Sequence, residues 1–189
     1  LINWNDIPGA DLSMPYWNQS VRENFEVHGM LPFMSSDYIL PDVNSIFFNK
    51  DIVVDLGLEN PYEIVISGKW TWDKLREMAK AATKDLNGDS ILDEEDQYGF
   101  VGERGWQFAS ALTSCDQYFF GKGPDNLPMI VCDNEKTQNI LNIVCELIYR
   151  DNSAFTWPYS GAYDPNQGGK PPVDFRSGRS LFYLTPLSL

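Results

Sequence analysis

TWDKLREMAKAATKDLNGDSILDEEDQYGFV, residues 71–101, holds a helix, an acidic loop and a strand in one uninterrupted run. Thr71 stands where an N-cap belongs, because its hydroxyl can accept from a first-turn N–H that no backbone carbonyl reaches. Asp73 follows in the first turn, and Lys74, Arg76, Lys80 and Lys84 load the later turns. That order of charge suits the helix macrodipole. Trp72, Leu75, Met78, Ala79 and Ala82 recur at helical spacing as one apolar face, so a helix is expected over 71–84. Residues 98–101 form a short apolar run and read as a buried strand. A helix handed to a strand across a loop is the repeating unit of an α/β layered domain.

Working outward, the same alternation recurs. Residues 43–49 (VNSIFFN) read as a buried strand, stopped by the polar Asn49-Lys50-Asp51, and 51–56 as a short helix closed by Gly57. A helix is expected at 106–112 after a glycine-bearing turn. Another is expected at 135–149, where Ile140, Ile143, Val144, Leu147 and Ile148 make the buried stripe. A last strand is expected at 180–184. Pro8, Pro15, Pro32 and Pro41 break the first forty residues into irregular chain with one short helix near 17–27, and 151–174 reads as loop. The expected fold class is α/β with a mixed sheet flanked by helices.

The chain has 189 residues, of which 43% are hydrophobic, 22% charged and 14% aromatic, a composition that folds and excludes intrinsic disorder. Its 27 acidic against 14 basic residues leave a net charge of −13. Such a surface repels phosphate backbones and anionic headgroups, so nucleic acid is excluded as a partner, while cations and neutral ligands remain. The three cysteines, Cys115, Cys132 and Cys145, lack any CxxC spacing; they read as small buried hydrophobes, with one disulfide as the alternative. Both ends read as interior sequence, so the chain is expected to be a piece of a longer protein.

The acidic loop carries the most specific pattern. Asp85, Asn87, Asp89, Asp93 and Asp96 fall at positions 1, 3, 5, 9 and 12 of a twelve-residue loop, and Ile91 at position 7 can offer its carbonyl. That is the oxygen schedule of an EF-hand, entered by a helix, and calcium is the cation that needs so many hard oxygens. Two departures stand out: glycine is at position 4 (Gly88), leaving Ser90 to make the turn at position 6, and position 12 is Asp instead of Glu. The alternative is a solvated acidic turn built on Asn87-Gly88. A calcium ion here would be structural.

No GxSxG, HExxH, P-loop or dinucleotide fingerprint occurs, and the single histidine, His28, reads as structural. The sequence therefore points away from an enzyme. The aromatic surplus points to binding instead. Trp106 lies just past a predicted strand, and Trp157 and Tyr159 lie in a Pro- and Gly-rich segment. Aromatics on loops beyond strand ends are where open α/β proteins bind ligands, and flat rings stack on sugar faces. Trp106, Trp157 and Tyr159 are the candidate ligand-binding residues, each with core packing as its alternative.

Four stretches in order then resemble one family. Ile46-Phe47-Phe48-Asn49-Lys50-Asp51, the run from Pro61-Tyr62-Glu63 to Gly68-Lys69-Trp70-Thr71-Trp72-Asp73-Lys74-Leu75, the acidic loop running into Tyr98-Gly99-Phe100, and Phe175-Arg176-Ser177-Gly178-Arg179-Ser180-Leu181-Phe182 are similar to segments of the sugar-type extracellular solute-binding proteins of ABC importers. The resemblance implies a periplasmic-binding-protein-like (type II) lobe. It assigns 1–45 to the end of a first lobe and a hinge crossing, 46–180 to a second lobe and 181–189 to a return strand, the whole behaving as one compact domain. It implies capture of a carbohydrate or oligosaccharide without catalysis, delivery to ABC permease subunits, and a lipid-anchored place on the extracellular face of the membrane, though no anchor lies within these residues. The alternatives from other classes are a glycoside-active enzyme module and a calcium-dependent interaction module, the latter wanting a second acidic loop that the sequence lacks.

Overall fold

A computed structural model describes residues 2–38, 43–93, 95–157, 175 and 177–187, and of Glu103, Arg104, Trp106 and Trp157 the backbone alone. In chain order the elements are a short 3-10 turn at Trp4–Asp6, α1 (Gln19–Phe25), β1 (Asn44–Phe48), α2 (Lys50–Asp55), α3 (Pro61–Ile66), α4 (Trp72–Ala82), β2 (Tyr98–Glu103) and α5 (Arg104–Ser114). The hairpin strands β3 (Phe120–Lys122) and β4 (Pro128–Ile130) follow, then α6 (Glu135–Cys145) with a π-helical turn at Glu146–Arg150, β5 (Ala154–Trp157) and β6 (Ser180–Pro186). Two compact units account for the chain: Leu1–Asp42 with Tyr118–Asn134, and Val43–Gln117 with Glu135–Leu189.

The larger unit is built on a four-stranded sheet in the order β1-β6-β2-β5. β2 lies parallel to both β5 and β6, and β1 is antiparallel to β6, so the sheet is mixed as expected. Helices start where the sequence supplies caps. Asn49 accepts from Asp51 and Ile52 at the head of α2, Asn60 from Tyr62 ahead of Pro61 in α3, and the Thr71 hydroxyl from Lys74 at 3.1 Å in α4. Each cap satisfies donors the helix cannot. The apolar face read for α4 is buried at Leu75, Met78, Ala79 and Ala82, and that of the last long helix at Ile140, Val144, Leu147 and Ile148. Both faces close on Phe100 and Phe182, which are fully buried at the centre of the sheet. Side chains of this size stabilise by about 1.5–3 kcal/mol each on burial.

One close approach sets how α4 sits on the sheet. A Cβ on Gly99 would lie 1.9 Å from the Ala79 carbonyl oxygen, so only glycine lets the helix backbone reach β2. Bonds from Gly99 N–H to the Thr83 hydroxyl (3.0 Å) and between Lys84 and Gln97 (2.9 and 3.0 Å) hold that contact.

The smaller unit packs Leu12, Leu31 and Met34 against Trp4 and Trp17, whose rings meet edge to face at 5.4 Å. Lys122 on β3 donates to the Glu23 and Glu26 carbonyls, both at 2.6 Å, and so caps the open end of α1. His28 has φ 51 and Gly29 φ 78 in the two-residue turn between Val27 and Met30, a hairpin geometry that needs positive φ at both positions. The histidine is thus a turn residue.

The structure adds elements the sequence reading lacks. Residues 154–157, read as loop, form β5; α3 and the β3–β4 hairpin were not expected; and the last five residues of the long helix widen into a π turn. Cys115, Cys132 and Cys145 are half-buried free thiols, not a disulfide pair and not fully buried.

Candidate functional site

Because β2, β5 and β6 run parallel, their carboxyl ends share one edge of the sheet. The register aligns Glu103 with Trp157 and Gly102 with Leu184; β1, running the other way, starts at this edge with Asn44 level with Pro186. β2 passes into α5 without an intervening residue, which puts Trp106 in the first turn of that helix. The backbone therefore sets Trp106 and Trp157 at the same edge, although they are far apart in sequence. Tyr159 lies outside the described residues.

Polar side chains that the sequence reading did not single out gather at this edge. Asn44 donates its Nδ2 to the Ser110 hydroxyl at 3.1 Å, and Ser110 is buried on α5. One helical turn earlier, Gln107 is 1% exposed and neither heteroatom of its amide has a partner among the described residues. A glutamine within a run of Trp, Phe and Ala is the only trace of this in the sequence. Nothing in its spacing marks it.

The acidic loop is closed by hydrogen bonds from its own backbone. Asp85 accepts from Gly88 (2.6 Å) and Ser90 (2.9 Å), Asn87 from Asp89 (2.9 Å), Asp89 from Ile91 (2.7 Å) and Asp93 from Glu95 (2.8 Å). Asp96 is fully buried and accepts from Leu86 (2.8 Å) and Asp93 (3.0 Å). Those N–H donors, Leu86 first, hold its carboxyl below the usual range. Ser90 makes the position-6 turn at φ 69, a conformation serine adopts only under constraint. Among the described residues no three carboxylates converge as a ready metal set. Each carboxylate oxygen keeps a lone pair beyond the bond it accepts.

A second charged cluster joins α4 to the π turn. Arg76 binds Asp151 through Nε and through Nη2 (3.1 Å), and Lys80 reaches the same carboxylate at 3.2 Å. Glu146 pairs with Arg76 and with Arg150 at 3.0 Å. The Arg76 guanidinium, before all else, holds the Asp151 carboxyl below its usual range. These carboxylates are committed to cations, so the cluster is a clasp between helices.

Among solved structures, an ABC substrate-binding protein from Listeria monocytogenes, solved in complex with cycloalternan, aligns with 96% of this chain at a TM-score of 0.51 and 14% identity. The fold is periplasmic-binding-protein-like. The chain spans 40% of the length of that protein. The maltose/maltodextrin-binding domain from Bdellovibrio bacteriovorus, bound to maltotriose, aligns with 76% of this chain and 31% of its own, with a TM-score of 0.48 and 16% identity. No protein-family model matches the chain, and no curated protein matches it by sequence. At these identities the likeness is one of fold.

Proposed function

We propose that this chain is part of a solute-binding protein that captures an oligosaccharide, without chemical change, for an ABC-type importer at the outer face of the membrane. The observation that carries the reading is the alignment of nearly the whole chain with a substrate-binding protein. The carboxyl edge bearing Trp106 and Trp157 is the proposed ligand contact, with Tyr159 as its third aromatic. The glycoside-active and calcium-dependent interaction alternatives draw no support from the comparisons. Thermal shift and calorimetry on the full-length protein test the reading, using mono- and oligosaccharides beside amino acids and peptides. Stabilisation by sugars alone is expected. Trp106→Ala and Trp157→Ala should each weaken the best sugar about tenfold, the loss of one stacking contact of about 1–1.5 kcal/mol. A response to peptides and not to sugars would overturn the substrate class.

The acidic loop is proposed as a structural calcium site held by Asp85, Asn87, Asp89, Asp93 and Asp96 with the Ile91 carbonyl. With Asp at position 12 the affinity belongs to the weak extracellular range, on the order of 10⁻⁴–10⁻³ M. At roughly tenfold excess over that constant, calcium should add about 1.4 kcal/mol of stability. Melting in EDTA and in excess calcium measures this; coincident curves, unchanged by Asp85→Ala, reject the site.

A further inference from the structure

We propose that the side-chain amide of Gln107 is a hydrogen-bonding group for the ligand, kept unpaired in the ligand-free chain and turned onto a sugar hydroxyl on binding. The inference rests on the oligosaccharide reading above.

Packing does not account for this residue. Its Nε2 and Oε1 are both buried and, among the described residues, both without a partner, and a buried polar group left unpaired costs stability that an apolar side chain of the same size avoids. Leu or Met would fill the space. Such groups are few in native proteins, and each asks for an explanation.

Position supplies the use. Gln107 stands in the first turn of α5, at the carboxyl edge of β2, beside the backbone position of Trp106. Its Nε2 lies 2.7 Å from where a Cβ on Gly102 would be, so the last-but-one residue of β2 makes room for the amide by having no side chain. Three residues on, the same face of α5 carries Ser110, which is bonded to Asn44. Asn44 is exposed. A track of amide and hydroxyl groups thus leads from solvent along the helix toward Gln107, and glutamine's three rotatable bonds let its amide turn onto that track.

The chemistry selects the ligand class. A carboxamide offers two donors and an acceptor without charge, which matches a hydroxyl that must both give and take a hydrogen bond. It carries no charge with which to pair an ionic ligand. Because this amide is already out of water, binding strips no hydration from it, and its new hydrogen bond counts almost undiminished.

The experiment compares the full-length wild type with Gln107→Met, using maltotriose, cellotriose and cycloalternan as probes in calorimetry and melting. The ligand-free variant should melt higher than wild type, and its affinity for the best of the three sugars should fall at least tenfold. Unchanged affinity overturns the inference and reduces Gln107 to a buried polar defect. Weaker binding accompanied by a lower melting temperature also overturns it, because the amide then serves the fold. Should the Met variant misfold, Gln107→Leu is read by the same two measurements. A wild type that binds none of the probes overturns the oligosaccharide reading and this inference together, whereas wild-type binding with an indifferent variant overturns this inference alone.

Discussion

Gly99→Ala is expected to destabilise the larger unit by about 4 kcal/mol, beyond the usual range for an added methyl in a core. The reason is what the methyl meets. Its Cβ would lie 1.9 Å from the Ala79 carbonyl oxygen, 2.2 Å from Ala79 Cα and 2.3 Å from its carbonyl carbon. All three are α4 backbone, which cannot rotate aside as a side chain can. Relief requires the helix to lift from β2, and α4 is tied there by the Gly99-to-Thr83 bond, the Lys84–Gln97 bridge and the Gln97 amide on the Ala82 carbonyl at 2.6 Å. Lifting it also opens the contact of Leu75, Met78 and Ala82 with Phe100 and Phe182. Gly102→Ala is the internal comparison. Its methyl clashes only with the flexible end of Gln107, at 2.7 Å, its other contacts, to Leu184 and Phe100, being ordinary at 3.5 Å, so about 1 kcal/mol is expected. Urea unfolding of both variants measures the difference, and a melting scan should show Gly99→Ala lower by roughly 10 °C. A cost for Gly99→Ala no greater than that for Gly102→Ala would mean that α4 does not seat on β2 as described.

What was legible in the sequence follows the range of the forces that write it. α4 could be read because cap, charge order and apolar stripe all lie within one helix; Thr71, Leu75 and Met78 act on near neighbours. β1 and β6 could be read because Ile46-Phe47-Phe48 and Leu181-Phe182-Tyr183 are apolar, aromatic-rich runs, although β1, unlike β6, is not buried, with Phe47 39% exposed. β5 was not legible. Ala154–Trp157 is four residues long, and it is a strand only because Phe100 to Glu103 of β2 offer it a ladder. The β3–β4 hairpin is similarly short, three residues to a strand, with every residue of β4 exposed, so no buried face marks it. The π turn is written by tertiary contacts, since Glu146 and Asp151 face Arg76 on another helix. As for the candidate residues, aromatic content and strand ends suggested Trp106 and Trp157; the β2–β5 register puts Trp157 opposite Glu103, three residues before Trp106. Gln107 stayed hidden, because an amide without a partner is a property of three-dimensional surroundings and leaves no spacing in the chain.

The clasp between α4 and the π turn carries the second large effect. Asp151→Ala should cost about 3 kcal/mol at neutral pH. A surface ion pair would contribute a fraction of that, but the Asp151 side chain is only 8% exposed and Arg76 24%, so their charges interact largely out of water. Removing the carboxylate leaves Arg76 with Glu146 alone and Lys80 without the anion it reaches. The effect must fade in acid, and the sign is fixed. Arg76 holds the folded Asp151 carboxyl below its ordinary value, so the native state binds this proton less readily than the unfolded chain does. The stabilisation is therefore complete above the unfolded pKa of about 3.9 and is lost as pH falls through the lower folded value. Asp96 acts in the same direction, through the N–H groups of Leu86 and Asp93, so wild type should lose stability steeply below about pH 4. In Asp151→Ala that acid limb is shallower, and the two unfolding free energies converge as pH drops. Denaturant titrations at a series of pH values follow both curves. A wild type and variant that stay parallel down to about pH 2 would show that the Asp151 charge plays no part in the clasp.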